Sequence, residues 1–145
     1  MFEEVDQAVT KRMDYEWNLL HPTIPILYEN IEVAEGDGLG YEDGEAHIDL
    51  EILDGESDRI DLGNVTRSHR YPGFININIY GVKGEGVRDI KELADSAASI
   101  FRDQQFNGVS CWSASITKIG PSGGYFQYNV SIPFYADFRY THTLD

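Results

Sequence analysis

Two stretches of strict alternation constrain this chain more than anything else in it. From Phe74 to Tyr80, Ile75, Ile77 and Ile79 fall on one side of an extended backbone and Asn76 and Asn78 on the other. Near the C-terminus, Phe126, Tyr128, Val130, Ile132 and Phe134 alternate in the same way with Gln127, Asn129 and Ser131. A period of two is the signature of a strand buried on one face, and each such strand leaves an apolar row that something must cover.

Two helices are available to cover it. Between Phe2 and Leu20, Val5, Val9, Met13, Trp17 and Leu20 recur every three to four positions, with Glu3, Glu4, Lys11 and Glu16 elsewhere on the wheel. His21-Pro22 ends that helix, because the residue before proline is pushed out of the helical region and proline cannot continue the hydrogen-bond ladder. A second helix is predicted from about Val87 to Asp103, with the stripe Val87, Ile90, Leu93, Ala94, Ala97, Ile100 and Phe101. Its small residues, Ala94, Ala97 and Ala98, suit close packing on a sheet.

Further strands fill in the sheet. Ile24 to Asn30 reads as a short one, and from Ala46 to Ile52 the apolar Ala46, Ile48, Leu50 and Ile52 oppose His47, Asp49 and Glu51. Asp54-Gly55 is a turn signal, followed by a weaker strand pattern from Arg59 to Val65. Tyr71-Pro72-Gly73 is expected to interrupt the chain before the next strand or to place a bulge at its start. Asn107-Gly108 turns into a strand from Val109 to Ile119, which Gly120-Pro121-Ser122-Gly123-Gly124 joins to the last strand as a hairpin. The expected fold is α+β, a mainly antiparallel, curved β-sheet with two amphipathic helices packed on one face. At 145 residues this is a single domain, with a flexible acidic, glycine-rich loop at about 31–45 and a tail at about 136–145.

Charge narrows the partners. The chain carries 25 Asp and Glu against 11 Lys and Arg, a net charge of -14 that repels a phosphate backbone and argues against specific nucleic-acid binding. Between Glu29 and Asp61 the acids crowd together, answered only by Arg59. The single cysteine, Cys111, excludes an internal disulfide and reads as a small buried hydrophobe beside Trp112. No run approaches the length of a membrane span, and Met1-Phe2-Glu3-Glu4 lacks the basic start of a signal peptide.

A search for chemistry returns nothing built. His21, His47, His69 and His142 are scattered without metal-ligand spacing and read as surface histidines, and the acids from Asp37 to Asp49 lack the order of an EF-hand. Gly81-Val82-Lys83-Gly84-Glu85-Gly86 sits where phosphate loops occur, but no Gly-Lys-Ser or Gly-Lys-Thr ends it and Glu85 would repel an anion. Ser110, Ser113 and Ser115 have no adjacent base. Pairs such as Glu42 with Glu45 or Asp49 with Glu51 are what any acidic chain offers on paper. The residues therefore point away from an enzyme and imply no cofactor and no metal.

Taken in order, several segments resemble the tail terminator proteins of long-tailed bacteriophages. They are the N-terminal helix with Trp17, Ile24-Pro25-Ile26-Leu27-Tyr28-Glu29-Asn30, a strand and Leu62-Gly63, and Arg70-Tyr71-Pro72-Gly73 running into Phe74 to Tyr80. Gly84-Glu85-Gly86 before the helix with Ala94-Asp95 and Phe101 follows, then Gly123-Gly124-Tyr125-Phe126-Gln127-Tyr128-Asn129-Val130-Ser131-Ile132-Pro133-Phe134. The resemblance spans about Tyr15 to Asp137; the long acidic loop and the aromatic segment after Pro133 depart from it. It implies a ring, usually of six copies, that caps the head-proximal end of the tail tube, ends tube polymerisation and meets a neck or head-completion protein. Such a protein would be assembled in the host cytoplasm, reside in the virion, and let DNA pass through its ring without specific binding. Tyr135, Phe138 and Tyr140, aromatics beyond the last clear strand, are the candidate interface residues, with packing on the domain's own helices the alternative.

Overall fold

The computed structural model describes residues 2–29, 45–55, 58–59 and 66–141. Its elements are α1 (Phe2–Leu20), β1 (Ile26–Tyr28), β2 (His47–Asp54), β3 (Asp58–Arg59), β4 (Thr66–Val82), α2 (Arg88–Phe101), β5 (Gln105–Phe106), β6 (Val109–Cys111), β7 (Ser115–Ser122) and β8 (Tyr125–Thr141). The strands make one eight-stranded sheet in the order β1-β2-β4-β8-β6-β5, with β3 beside β4 and β7 beside β8. Every pairing is antiparallel except β1 with β2. This is the α+β arrangement that the two alternating strands demand, and those two strands are its centre.

β4 and β8 pair over their full length, from Thr66 opposite Thr141 to Val82 opposite Tyr125, with no shift of register. Seventeen residues each at the usual rise make a ribbon about 55 Å long, against about 28 Å for the nineteen residues of α1. The ribbon therefore outruns the helices. Two expectations are corrected by it. Residues 136–141 are strand, so there is no free tail starting at residue 136, and Tyr71-Pro72-Gly73 interrupts nothing. Proline is tolerated there because of where its missing N–H points. The Pro72 carbonyl accepts from Gly55 N–H at 2.9 Å, and the N and O of a strand residue face the same side. The absent donor therefore looks toward the end of β2, and the ladder to β8 is untouched.

The helices cover one face. Val5, Val9, Met13 and Trp17 of α1 and Ile90, Ala94, Ala97, Ala98 and Phe101 of α2 are buried against Ile75, Ile77 and Ile79 of β4 and Val130, Ile132 and Phe134 of β8. Each large side chain removed from water there contributes about 1.5–3 kcal/mol. Arg12 ties the helices together: its Nε donates to the Ile100 carbonyl at 2.7 Å, one of the otherwise unpaired carbonyls at the end of α2, and its guanidinium lies over the Phe106 ring.

The hairpins follow their turn residues. Asn107 and Gly108 both have positive φ (44° and 84°), the two-residue turn whose twist matches the strands, and it joins β5 to β6. The expected strand from Val109 to Ile119 breaks at residues 112–114 into β6 and β7, which pair with the same side of β8. Trp112 N–H still donates to the Pro133 carbonyl at 2.9 Å across the break. Of the weak strand expected from Arg59 to Val65, only Arg59 is described, in β3; residues 60–65, like most of the acidic loop at 31–45, lie outside the described residues.

Candidate functional site: the uncovered face of the sheet

The face opposite the helices is polar in the middle because β2, β4 and β8 all turn their hydrophilic rows the same way. Glu51 stands opposite Asn76, and Asn76 opposite Ser131; Asp49 stands opposite Asn78, and Asn78 opposite Asn129. The side chains join across the strands. Asn76 Nδ2 donates to Glu51 Oε1 and Asn78 Nδ2 to Asp49 Oδ1, both at 2.9 Å. A carboxylate can only accept, so each asparagine must turn its amide nitrogen to β2 and its oxygen to β8. Those oxygens accept from Asn129 Nδ2 (2.8 Å to Asn76 and 3.0 Å to Asn78) and from Gln127 Nε2 (3.0 Å to Asn78). The result is a directed amide network that runs across three strands from the carboxylates of β2 to the amides of β8. The sequence holds every member of it, but only the register of β2 on β4 brings them together.

Apolar groups flank this network at one end. Leu53, Phe74 and Trp112 are about half exposed, and the Trp112 ring lies 5.4 Å from that of Tyr135. Tyr135 is half-buried there under the Arg70 guanidinium, 4.3 Å above its ring, while Arg70 forms a two-pronged ion pair with Asp137 at 2.9 and 3.0 Å. Of the three candidate interface aromatics, Tyr135 is thus already part of a local stack. Phe138 and Tyr140 belong to β8, opposite His69 and Arg67, and their side chains lie outside the described residues. At the other end of the face His47 is buried, stacked on Tyr80 at 4.8 Å and edge-on to Tyr125 at 4.9 Å, with Nδ1 donating to the Glu45 carbonyl at 2.9 Å. This corrects the expectation of a surface histidine: the two tyrosines roof it over. Burial, first, and the neighbouring Asp49 push the Tyr80 phenol up to about 12.

Elsewhere one contact has the look of chemistry. His21 Nε2 and Ser96 Oγ are 2.9 Å apart, the spacing of a base and a nucleophile. Ser96 sits inside α2, where the backbone N–H groups are committed to the helix and cannot serve an oxyanion. Among the described residues the other His21 nitrogen meets no carboxylate. The pair fastens the end of α1 to α2, and no alternation or motif announces it, since the two residues lie in separate elements. Among the described residues no group of three His, Cys, Asp or Glu is placed to hold a metal ion, and no helix is long and apolar enough to cross a membrane. Gly81 and Val82 of the Gly81–Gly86 segment end β4, and the rest turns, with Gly84 and Gly86 at positive φ (91° and 80°) and Glu85 and Asp89 putting negative charge at the start of α2.

Cys111 is buried, as its setting in the sequence suggests, and burial pushes its thiol up to about 12 despite the opposing Arg12 charge. A thiol that keeps its proton to higher pH when folded stabilises the fold fully below its unfolded value of about 8.5. That contribution is lost as pH rises toward about 12. At pH 8 the native protein should react with a thiol reagent on the order of a thousandfold more slowly than the urea-unfolded chain. Equal rates would place Cys111 on the surface.

No protein-family model matches the sequence, and no curated protein matches it. Twelve chains of solved structures do match. One, a protein without a descriptive name, aligns with a TM-score of 0.70 over 98% of this chain and 99% of its own, at 15% identity. At that identity the likeness establishes a shared fold, end to end, and nothing about activity.

Proposed function

We propose that this protein is a structural virion subunit, a tail terminator that closes into a ring at the head-proximal end of a phage tail tube, stops tube growth and presents a surface to the neck. The reading rests on the ordered resemblance from Tyr15 to Asp137. One structural observation supports it. Large apolar side chains stand in solvent at three separate places: Tyr15, Leu19 and Leu20 on α1, Ile116 and Ile119 on β7, and Leu53, Phe74 and Trp112 on the sheet face. A ring subunit touches a neighbour on each side and a tube below, and so needs several such places. The interior also favours assembly over ligand binding. Ile75, Ile77, Ile79, Val130 and Ile132 are all fully buried between sheet and helices, filling the concavity a ligand would need.

In this reading the protein is not an enzyme and binds no cofactor, and its acids keep passing DNA from adhering. Its mass in solution, alone and with tail tube protein, is the test. The expected result is a closed ring, six copies of the 16.4 kDa chain, that binds one end of a tube and halts its extension. A monomer that stays monomeric with tube present would overturn the reading; unlimited polymerisation would make it a tube subunit instead.

A further inference from the structure

The charge of this molecule is polarised along its sheet. Between Asp103 and Asp137 there is no Asp or Glu, although the chain carries 25, and Lys118 is the one charged residue in that span. The span supplies β5, β6, β7 and most of β8, the end of the sheet where β7 pairs with β8 and, among the described residues, with nothing else. Residues 115–119 of β7 are all exposed, Ile116 and Ile119 among them, so an edge strand of eight residues offers unpaired backbone and apolar side chains together.

The opposite end of the sheet is its complement. β1, three residues long, pairs only with β2 among the described residues. Between this edge and α1 lies a cleft of about 400 Å³ whose lining includes three acids, Asp6, Asp14 and Glu29, against one cation, Lys11, with Tyr28 beside them. Further hollows continue it past Glu3 and Asp54 at one end and past Asn18 and Ile26 at the other. Past the end of β1 no strand among the described residues covers Ile52, whose N–H donates to the Glu29 carboxylate at 2.5 Å. The groove is thus acidic on balance and extended, and the strand edge that borders it is open among the described residues.

We propose that β7 of one copy docks into the α1–β1 groove of the next, placing Lys118 among the groove's acids and burying Ile116 and Ile119. This deepens the ring reading and rests on it for the closed form of the assembly. Copies with a net charge of -14 repel one another, so contact favours the one edge free of acids, and that edge adds a cation to a groove in which Lys11 alone faces Asp6, Asp14 and Glu29. Acid groove against acid groove would be repulsive, which leaves the head-to-tail contact that generates rings.

Two double variants test this, both at exposed positions: Ile116→Asp with Ile119→Asp on the edge, and Asp6→Lys with Asp14→Lys in the groove. Each should keep the wild-type melting curve and shift self-assembly, followed by mass photometry, to at least about tenfold higher concentration. Mixed together they should associate one-to-one at concentrations where neither assembles alone, because each retains the half that the other has lost. A wild type that rings while either folded variant also rings overturns the docking and leaves the terminator reading standing. A mixture of folded variants that does not pair likewise overturns the docking. Open filaments of the wild type that both variants abolish would keep the docking and remove the terminator. A wild type that is monomeric at every concentration, tube present, overturns both.

Discussion

Replacing Trp17 by alanine should destabilise the fold by about 3–5 kcal/mol, the range for deleting a large aromatic from a packed core. Trp17 is fully buried near the end of α1, and its Nε1 donates to the Ile24 carbonyl at 3.0 Å where the chain turns from helix into β1. Its ring also packs 4.8 Å from His21, which reaches Ser96 on α2. Truncation removes the volume that seals α1 to the sheet and leaves the Ile24 carbonyl without its donor. Trp17→Phe separates the two effects: most of the ring remains, so the loss should fall nearer the roughly 1 kcal/mol of a hydrogen bond plus modest underpacking. Urea unfolding followed by far-UV circular dichroism gives both values, with an unchanged slope showing that the native state has not loosened. A cost for Trp17→Ala below about 1 kcal/mol would mean that α1 is not seated as described.

What the sequence shows and what it hides divide along a physical line. Local periodicity is written in the chain, so α1 runs from Phe2 to Leu20 as expected and α2 differs only at its ends. The covered rows of β4 and β8 are likewise the expected ones. Pairing is not local. Nothing near Asn78 announces that Asp49 and Gln127 will stand on either side of it, and nothing near His47 announces the two tyrosines that bury it. The ends of elements also depend on partners. Residues 136–141 lack the plain alternation of the preceding strand, yet they extend it because β4 lies alongside as a template as far as Thr66. Tyr135, Phe138 and Tyr140, expected beyond the last clear strand, all belong to β8.

The same distinction applies to the surfaces that carry the functional reading. Ile116 and Ile119 sit in a segment that reads as an ordinary strand, and only the strand order reveals that this strand ends the sheet. Asp6 and Asp14, eight residues apart on α1, line one groove only because β1 runs beside them. Assembly surfaces are made by topology, and catalytic motifs by residue type at close spacing. A surface of the first kind is therefore less legible to motif reading than a site of the second.

Gly73 joins the strand-interrupting reading to its physical cause, and substituting it should have the second large effect. A side chain at this position points into the core, where an added Cβ would stand 2.7 Å from the Leu53 carbonyl oxygen and 2.7 Å from Cζ of Phe134. Phe134 is the residue paired opposite Gly73 on β8, and its buried ring lies across the space the glycine leaves open. Tyr71, buried on the same row, meets that ring edge-on at 6.3 Å and donates to the Asp54 carboxylate. The glycine is therefore a close-approach position inside a continuous strand. Gly73→Val should cost about 3 kcal/mol, the upper part of the range for overpacking, because one colliding atom is backbone and cannot rotate away. Combining it with Phe134→Leu tests the cause: the double variant should be less destabilised than the sum of the singles by about 1 kcal/mol or more, as touching residues are. Strict additivity would put the ring elsewhere, and a harmless Gly73→Val would restore the bulge or break that Tyr71-Pro72-Gly73 suggests on paper.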